Sequence, residues 1–243
     1  MFWVSLLAIG CTGTPAPSPV DDEPAAASAT PKNPNGLAKD AGFDSNPSHD
    51  SGLGVLSFSP SQAYSGFDGA HSFKVPIAVY DASDDLTVTA TDPSAASIEA
   101  VKLSKPLRND GTYDNGRYFM VTIQRSGALT LVAQSQGRKV QATINVAAYS
   151  SDAWSAGEAR YTNGGTNGDP PCTTCHAGAS GIDHSPAALA GATDAKIGAV
   201  ITTGISTAGF PINATKGHRW TVTPDERDAL ITYLRGLEPR GFE

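Results

Sequence analysis

The stretch RYFMVTIQRSGALTLVAQSQGRKVQATINVAAYSSDAWSAGEARYTN, residues 117–163, decides the fold because the spacing of its apolar residues changes part-way along it. In RYFMVTI, GALTLVAQ and KVQATINVAAY, β-branched and aromatic residues often alternate with polar ones, the period of strands with one face buried. Beyond Tyr149 the run SDAWSAGEARYTN has helical spacing behind a Ser151 or Asp152 cap. A sheet-forming region therefore meets a helix-forming one near residue 150.

Toward the N-terminus, LGVLSFSP, SFKVPIAVYD, DLTVTATD and ASIEAVKLS continue the strand pattern, separated by the turn clusters DGA, DASD and NDGTYDNG. Six or seven strands across residues 53–150 predict an antiparallel β-sandwich. The order of these runs resembles the immunoglobulin-like modules of bacterial surface proteins. Met120 alternates with core-type neighbours and reads as packing, and His71 reads as a turn residue. Asp81, Asp84 and Asp85 read as a polar turn, since they lack the ligand spacing of a calcium loop.

Toward the C-terminus, TDAKIGAVITTG places Ile197, Val200 and Ile201 on one helical face. TPDERDALITYLRGL opens with Thr223, Pro224 and Glu226 in capping-box order and closes on glycine. Residues 151–243 are thus expected to be an all-α domain of three helices, following the all-β sandwich. A core that small usually needs a cofactor or a staple.

A net charge of −7 and a pI near 5.1 show no basic stripe for phosphates, so nucleic acid is a poor partner. From residue 11 to residue 52 the chain is rich in Pro, Ala, Ser and Asp without apolar periodicity, which reads as a disordered tether that includes a solvated His49. Residues 1–10 with Cys11, MFWVSLLAIGC, resemble the lipoprotein-type export signal of bacteria, in which the cysteine is acylated. That resemblance implies an exported, periplasmic or outer-membrane-associated protein that meets the membrane only through lipid on Cys11.

Cys172, Cys175 and His176, in CTTCH, are the candidate chemistry. Structural zinc would need two more ligands, which only His184 and His218 supply, in an unusual arrangement. A thioredoxin-like pair would want a strand before the motif and a helix at it, whereas Pro170 and Pro171 precede it. A plain disulfide leaves the adjacent histidine unexplained. Covalent haem c attachment uses all three residues, with two thiols for the vinyl groups and the next histidine for the iron.

Residues 151–243 resemble a class I, monohaem cytochrome c. Gly157 and Tyr161 stand where that family has its small and aromatic helix-crossing residues, and Tyr233 stands opposite them. The resemblance implies His176 as the proximal iron ligand, with the Pro186 carbonyl orienting its imidazole. In the family a methionine precedes a proline on the distal side; here Phe210 precedes Pro211. Both methionines, Met1 and Met120, precede the motif, which leaves His218 as the expected distal ligand. His184 is expected at the surface or near a propionate. Leu189, Ile197, Ile201, Phe210 and Trp220 are expected to wall the crevice, and Arg219 or Lys216 to pair with a propionate.

Two imidazole ligands without a thioether suit one-electron transfer at lower potential, to an unidentified redox partner protein. An iron left open would suit ligand sensing or small haem-enzyme chemistry, and a surface binding module with a structural haem is a third possibility.

Overall fold

The computed structural model describes residues 54–104, 115–176, 183–206, 209–212 and 218–243. The expected signal segment, Cys11, the tether with His49, and Lys216 lie outside them. β-Branched and aromatic runs give eight strands among the described residues: β1 (Ser57–Ser59), β2 (Gln62–Phe67), β3 (Lys74–Tyr80), β4 (Thr87–Ala90), β5 (Ala96–Val101), β6 (Arg117–Ile123), β7 (Gly127–Ser135) and β8 (Arg138–Ala148). They form two four-stranded sheets, ordered β1-β3-β6-β5 and β2-β8-β7-β4. Lettered in chain order with β2 as an extra A′ strand, this is the ABED and CFG arrangement of immunoglobulin-like sandwiches.

Alternation places the core. Leu129, Leu131 and Ala133 of β7 and Ala142, Ile144 and Val146 of β8 face Val75, Ile77 and Val79 of β3 in one buried cluster with Phe73 and Val121. The strand that the sequence pattern does not predict is β2. Its residues QAYSGF include no β-branched side chain, and it pairs parallel to β8, from Gln62 opposite Thr143 to Phe67 opposite Ala148.

Five helices follow among the described residues: α1 (Ser151–Asn163), α2 (Thr173–His176), α3 (Pro186–Leu189), α4 (Asp194–Thr203) and α5 (Pro224–Arg235). The cap of α1 is Ser150, whose side chain accepts from the Ala153 N–H. The capping box of α5 forms as read, with both Thr223–Glu226 hydrogen bonds present. At the α1–α5 crossing Gly157 lies against the Ala229 carbonyl and the Tyr233 Cβ, where any side chain would overlap.

The expected fold class, an all-β sandwich followed by an all-α domain of the class I cytochrome c type, is corrected. The chain is β-rich, α2 and α3 have only four residues each, and α5 and the residue that follows α3 are hydrogen-bonded to β2. The described residues fall in one unit. Among the described residues, no group of three or more His, Cys, Asp or Glu is arranged to hold a metal ion. The resemblance to a class I cytochrome c therefore does not carry over to the fold.

The physical reason lies in where the polar groups of the helices are satisfied. Arg235 of α5 is 1% exposed, and it donates to the Tyr64 carbonyl of β2 at 3.1 Å as well as to the carbonyls of Leu189 and Ala192. It also forks onto Asp194 Oδ1 at 2.9 and 3.1 Å. The Tyr149 hydroxyl, at the end of the sandwich, donates to the other oxygen of Asp194 at 2.6 Å. Tyr64 N–H donates to the Ala190 carbonyl at 2.8 Å, and Ala190 itself belongs to the sandwich core. Leu103 and Phe242 form a further antiparallel bridge, so the C-terminal residues return to the sandwich. In an isolated helical domain, Arg235 would be a buried cation missing one acceptor.

Candidate functional site

The motif starts where Pro170 and Pro171 end an extended loop. Its single turn, α2, is closed by His176 N–H donating to the Cys172 carbonyl at 3.1 Å. One helical turn puts residues three and four apart on one face, which brings Cys172, Cys175 and His176 together. Both cysteines are free thiols; Cys172 is half-buried against the cluster of Tyr161, Ile197, Leu230 and Leu234, while Cys175 is exposed. Burial pushes the Cys172 thiol up, partly offset by the Arg160 guanidinium.

His176 is 5% exposed, and two further imidazoles reach it. The His184 ring stacks on it, with centroids 3.6 Å apart and planes at 26°. The His218 ring stands edge-on, with centroids 6.1 Å apart and planes at 85°. His218 is carried by the segment after α4. Gly204 ends that helix at φ +68°, beside the His218 carbonyl, and Trp220 N–H donates to the Ile201 carbonyl at 3.1 Å. Trp220 packs edge-on against the His218 ring at 4.6 Å, and its indole N–H donates to the Pro170 carbonyl at 3.2 Å. Asp169 fixes the same corner by accepting from Thr221 N–H at 3.1 Å and pairing with buried Arg160 at 3.0 Å. The loop before the motif and the segment after His218 are thus tied to each other and to α1.

The Nδ1 atoms of His184 and His218 are both buried without a hydrogen-bond partner. Burial, with the nearby His176 and His218, pushes His184 down to about 3, so its ring is neutral at ordinary pH. Burial also lowers His218, against backbone hydrogen bonds that raise it.

The other expected site residues fall in different places. Leu189, Ile197 and Ile201 line the apolar cluster that includes Cys172. Phe210 is 56% exposed, on a tight turn in which Ser206 N–H donates to the Phe210 carbonyl at 2.7 Å. Pro186 is buried at the start of α3, and its carbonyl accepts from Ala190 N–H at 2.9 Å. The Arg219 Nε donates to the Thr203 carbonyl at 2.9 Å. Sequence reasoning missed His184 as a neighbour of His176. Its one local signal is the D-x-S turn around it, in which Asp183 accepts from Ser185 N–H and hydroxyl.

Two imidazoles that bind one ion from opposite sides, each nitrogen roughly 2 Å from it, place their ring centroids about 6 Å apart. The His176–His218 spacing of 6.1 Å fits that requirement, and the stacked His176–His184 pair at 3.6 Å does not. With two free thiols on the same turn, the donor set fits a c-type haem.

No protein-family model matches the chain, and no curated protein matches it. Solved structures similar to it include the surface layer protein SbsC, domains 1–6, at 16% identity and a TM-score of 0.29, covering 40% of this chain and 13% of that one. SbsC domains 4 and 5 match at 14% identity and a TM-score of 0.27, covering 39% of this chain and 52% of that one. The twitchin kinase region from C. elegans matches at 18% identity and a TM-score of 0.25, covering 36% of this chain and 15% of that one. This chain therefore spans well under two thirds of each, and likenesses this low carry no argument about function.

Proposed function

We propose that the chain is a one-electron carrier, holding a c-type haem covalently through Cys172 and Cys175 with His176 and His218 as the two axial ligands. The observation that carries this reading is the pair His176 and His218, 6.1 Å apart beside two free thiols, with His218 Nδ1 buried and unpartnered. Bound haem would supply the redox centre, gaining or losing one electron between ferric and ferrous iron. The chain's own residues do the rest. Cys172 and Cys175 anchor the group, and the turn of α2 presents His176. Trp220, Asp169 and Gly204 hold the His218 segment against it. Ile197, Leu230 and Leu234 exclude water from the Cys172 side, which keeps the solvent reorganisation that accompanies electron transfer small. With His176 and His218 both holding the iron, a bound haem would be closed to exogenous ligands.

The same reading makes the protein exported, and anchored by lipid on Cys11 at a bacterial membrane, with a redox protein as its partner. It is supported by the apolar run before Cys11 and by CTTCH, whose spacing is that of covalent haem attachment.

The test is the optical spectrum of the protein produced with a periplasmic haem-attachment system. A low-spin spectrum unaltered by carbon monoxide, with colour retained after acid–acetone extraction, is expected. His218→Ala should make the ferrous form bind carbon monoxide. Colour lost on extraction would overturn the covalent assignment, and indifference to His218→Ala would overturn the distal one.

A further inference from the structure

We propose that His184 is a positioning residue that fixes the rotation of the His176 ring; the idea rests on the reading of His176 as an axial ligand. His176 ends a helix of four residues, so its backbone alone does little to hold the plane of its imidazole. That plane is instead covered by the flat face of His184 at 3.6 Å and 26°, a contact too close for the His176 ring to turn past.

His184 can do this because it is itself held on both sides along the chain. Asp183 accepts from Ser185 N–H at 2.8 Å and from the Ser185 hydroxyl at 3.0 Å. The Ser185 hydroxyl in turn accepts from Ala187 N–H at 3.3 Å and from Arg240 N–H at 3.1 Å. Ser185 is 2% exposed, so this knot is internal. The rim of the His184 ring meets Tyr161 in an edge-to-face contact at 6.2 Å, and Tyr161 packs on Tyr233 at 5.3 Å. The ring that touches His176 is therefore backed by the α1–α5 crossing.

The same stacking excludes His184 as the ligand across one ion from His176. Two rings lying face to face cannot aim their nitrogens at one ion from opposite sides. A hydrogen-bonding role through Nδ1 is absent too, since that atom has no partner. The stacked contact acts through shape, a flat surface that selects one orientation of the neighbouring imidazole. In that orientation the His176 and His218 planes are at 85°. Near-perpendicular axial rings split the iron d orbitals little, and ferric low-spin haem then gives a highly anisotropic electron paramagnetic resonance signal.

The experiment has two arms on the full chain with His184→Ala and His184→Phe. In the haem-free protein, proton–carbon NMR of the imidazoles should show His176 ring protons displaced upfield by the stacked ring. The displacement should be lost in His184→Ala and kept in His184→Phe. In the haem-loaded ferric protein, the highly anisotropic signal should give way to an ordinary rhombic one in His184→Ala and persist in His184→Phe. Equal haem content across the three proteins separates positioning from folding. Loading with a signal indifferent to residue 184, or loss of the signal in both variants, overturns this proposal alone. Failure of the unsubstituted chain to load haem overturns the functional reading, and the proposal falls with it.

Discussion

Arg235 is the largest fully buried side chain among the described residues, and its partners come from β2 and from the segment Leu189 to Asp194. Its planar fork reaches the Asp194 carboxylate and three carbonyls at once, a geometry that a lysine ammonium cannot reproduce. Arg235→Leu leaves Asp194 without its counter-charge and removes a donor from each of the Tyr64, Leu189 and Ala192 carbonyls. Removing one member of a buried pair typically costs 3–5 kcal/mol, so a loss of about 3 kcal/mol is expected in urea denaturation. Arg235→Lys should recover only a minor part of it. A second residue, Asp68, gives a pH prediction. Its side chain is 0% exposed and contacts His71 Nδ1 at 2.6 Å. Desolvation raises its pKa, but the backbone N–H groups of His71 and Ala70 and the His71 side chain together bring it below the ordinary 3.8. A carboxylate held below its unfolded value stabilises the fold fully above about pH 4, and loses that contribution as pH falls through the folded value. The urea midpoint should therefore drop on acidification below pH 4, and Asp68→Asn should start lower at neutral pH and lose part of that dependence.

Among the elements, the α1–α5 crossing is the one most sensitive to a single methyl group. Ala is the better helix former by about 1 kcal/mol, yet Gly157→Ala drives a Cβ into the Ala229 carbonyl and the Tyr233 Cβ. Overpacking of that kind costs about 1–3 kcal/mol, so the variant should melt at a lower temperature by calorimetry. Thr223→Ala removes the side-chain half of the α5 capping box and should cost about 1 kcal/mol. The contrast between these elements shows what the sequence makes legible. The α5 start is written in four adjacent residues, Thr223 to Glu226, and the alternation of β7 and β8 is equally local, so both are readable. The strand β2 is not, because Gln62, Ala63, Ser65 and Gly66 have little strand propensity and its pairing is supplied by β8, about 80 residues away. The stacking of His184 on His176 is hidden for a similar reason, as it depends on how two loops meet. The all-α domain that the helical periodicity predicts is the largest difference between sequence and structure. Helical periodicity after residue 150 says that helices form, but it carries no record of what their other side touches.

For the whole molecule, the consequence is that sheets and helices share one stability. The buried Arg235–Asp194–Tyr149 cluster spans both layers, and Ala190 is part of the sandwich core. Urea unfolding followed by far-ultraviolet circular dichroism and by tryptophan fluorescence from Trp154 and Trp220 should give one coincident transition. A fragment of residues 151–243 keeps the α1–α5 crossing but loses the Tyr64 carbonyl and the Tyr149 hydroxyl that the Arg235–Asp194 pair uses, so its helices should unfold at lower urea than those of the whole chain; a fragment as stable as the whole would show the layers to be separable. The contact between Tyr64 and Ala190 also changes what kind of surface the molecule presents. β2 is an edge strand, and an uncovered edge offers open hydrogen-bonding groups to any other extended chain. Here the Tyr64 N–H is taken by Ala190 and its carbonyl by Arg235. The helical layer thus acts as a guard against strand addition, so loosening it should do more than lower stability. Copies of Arg235→Leu would be expected to join edge to edge and to aggregate at concentrations where the unsubstituted protein stays dispersed.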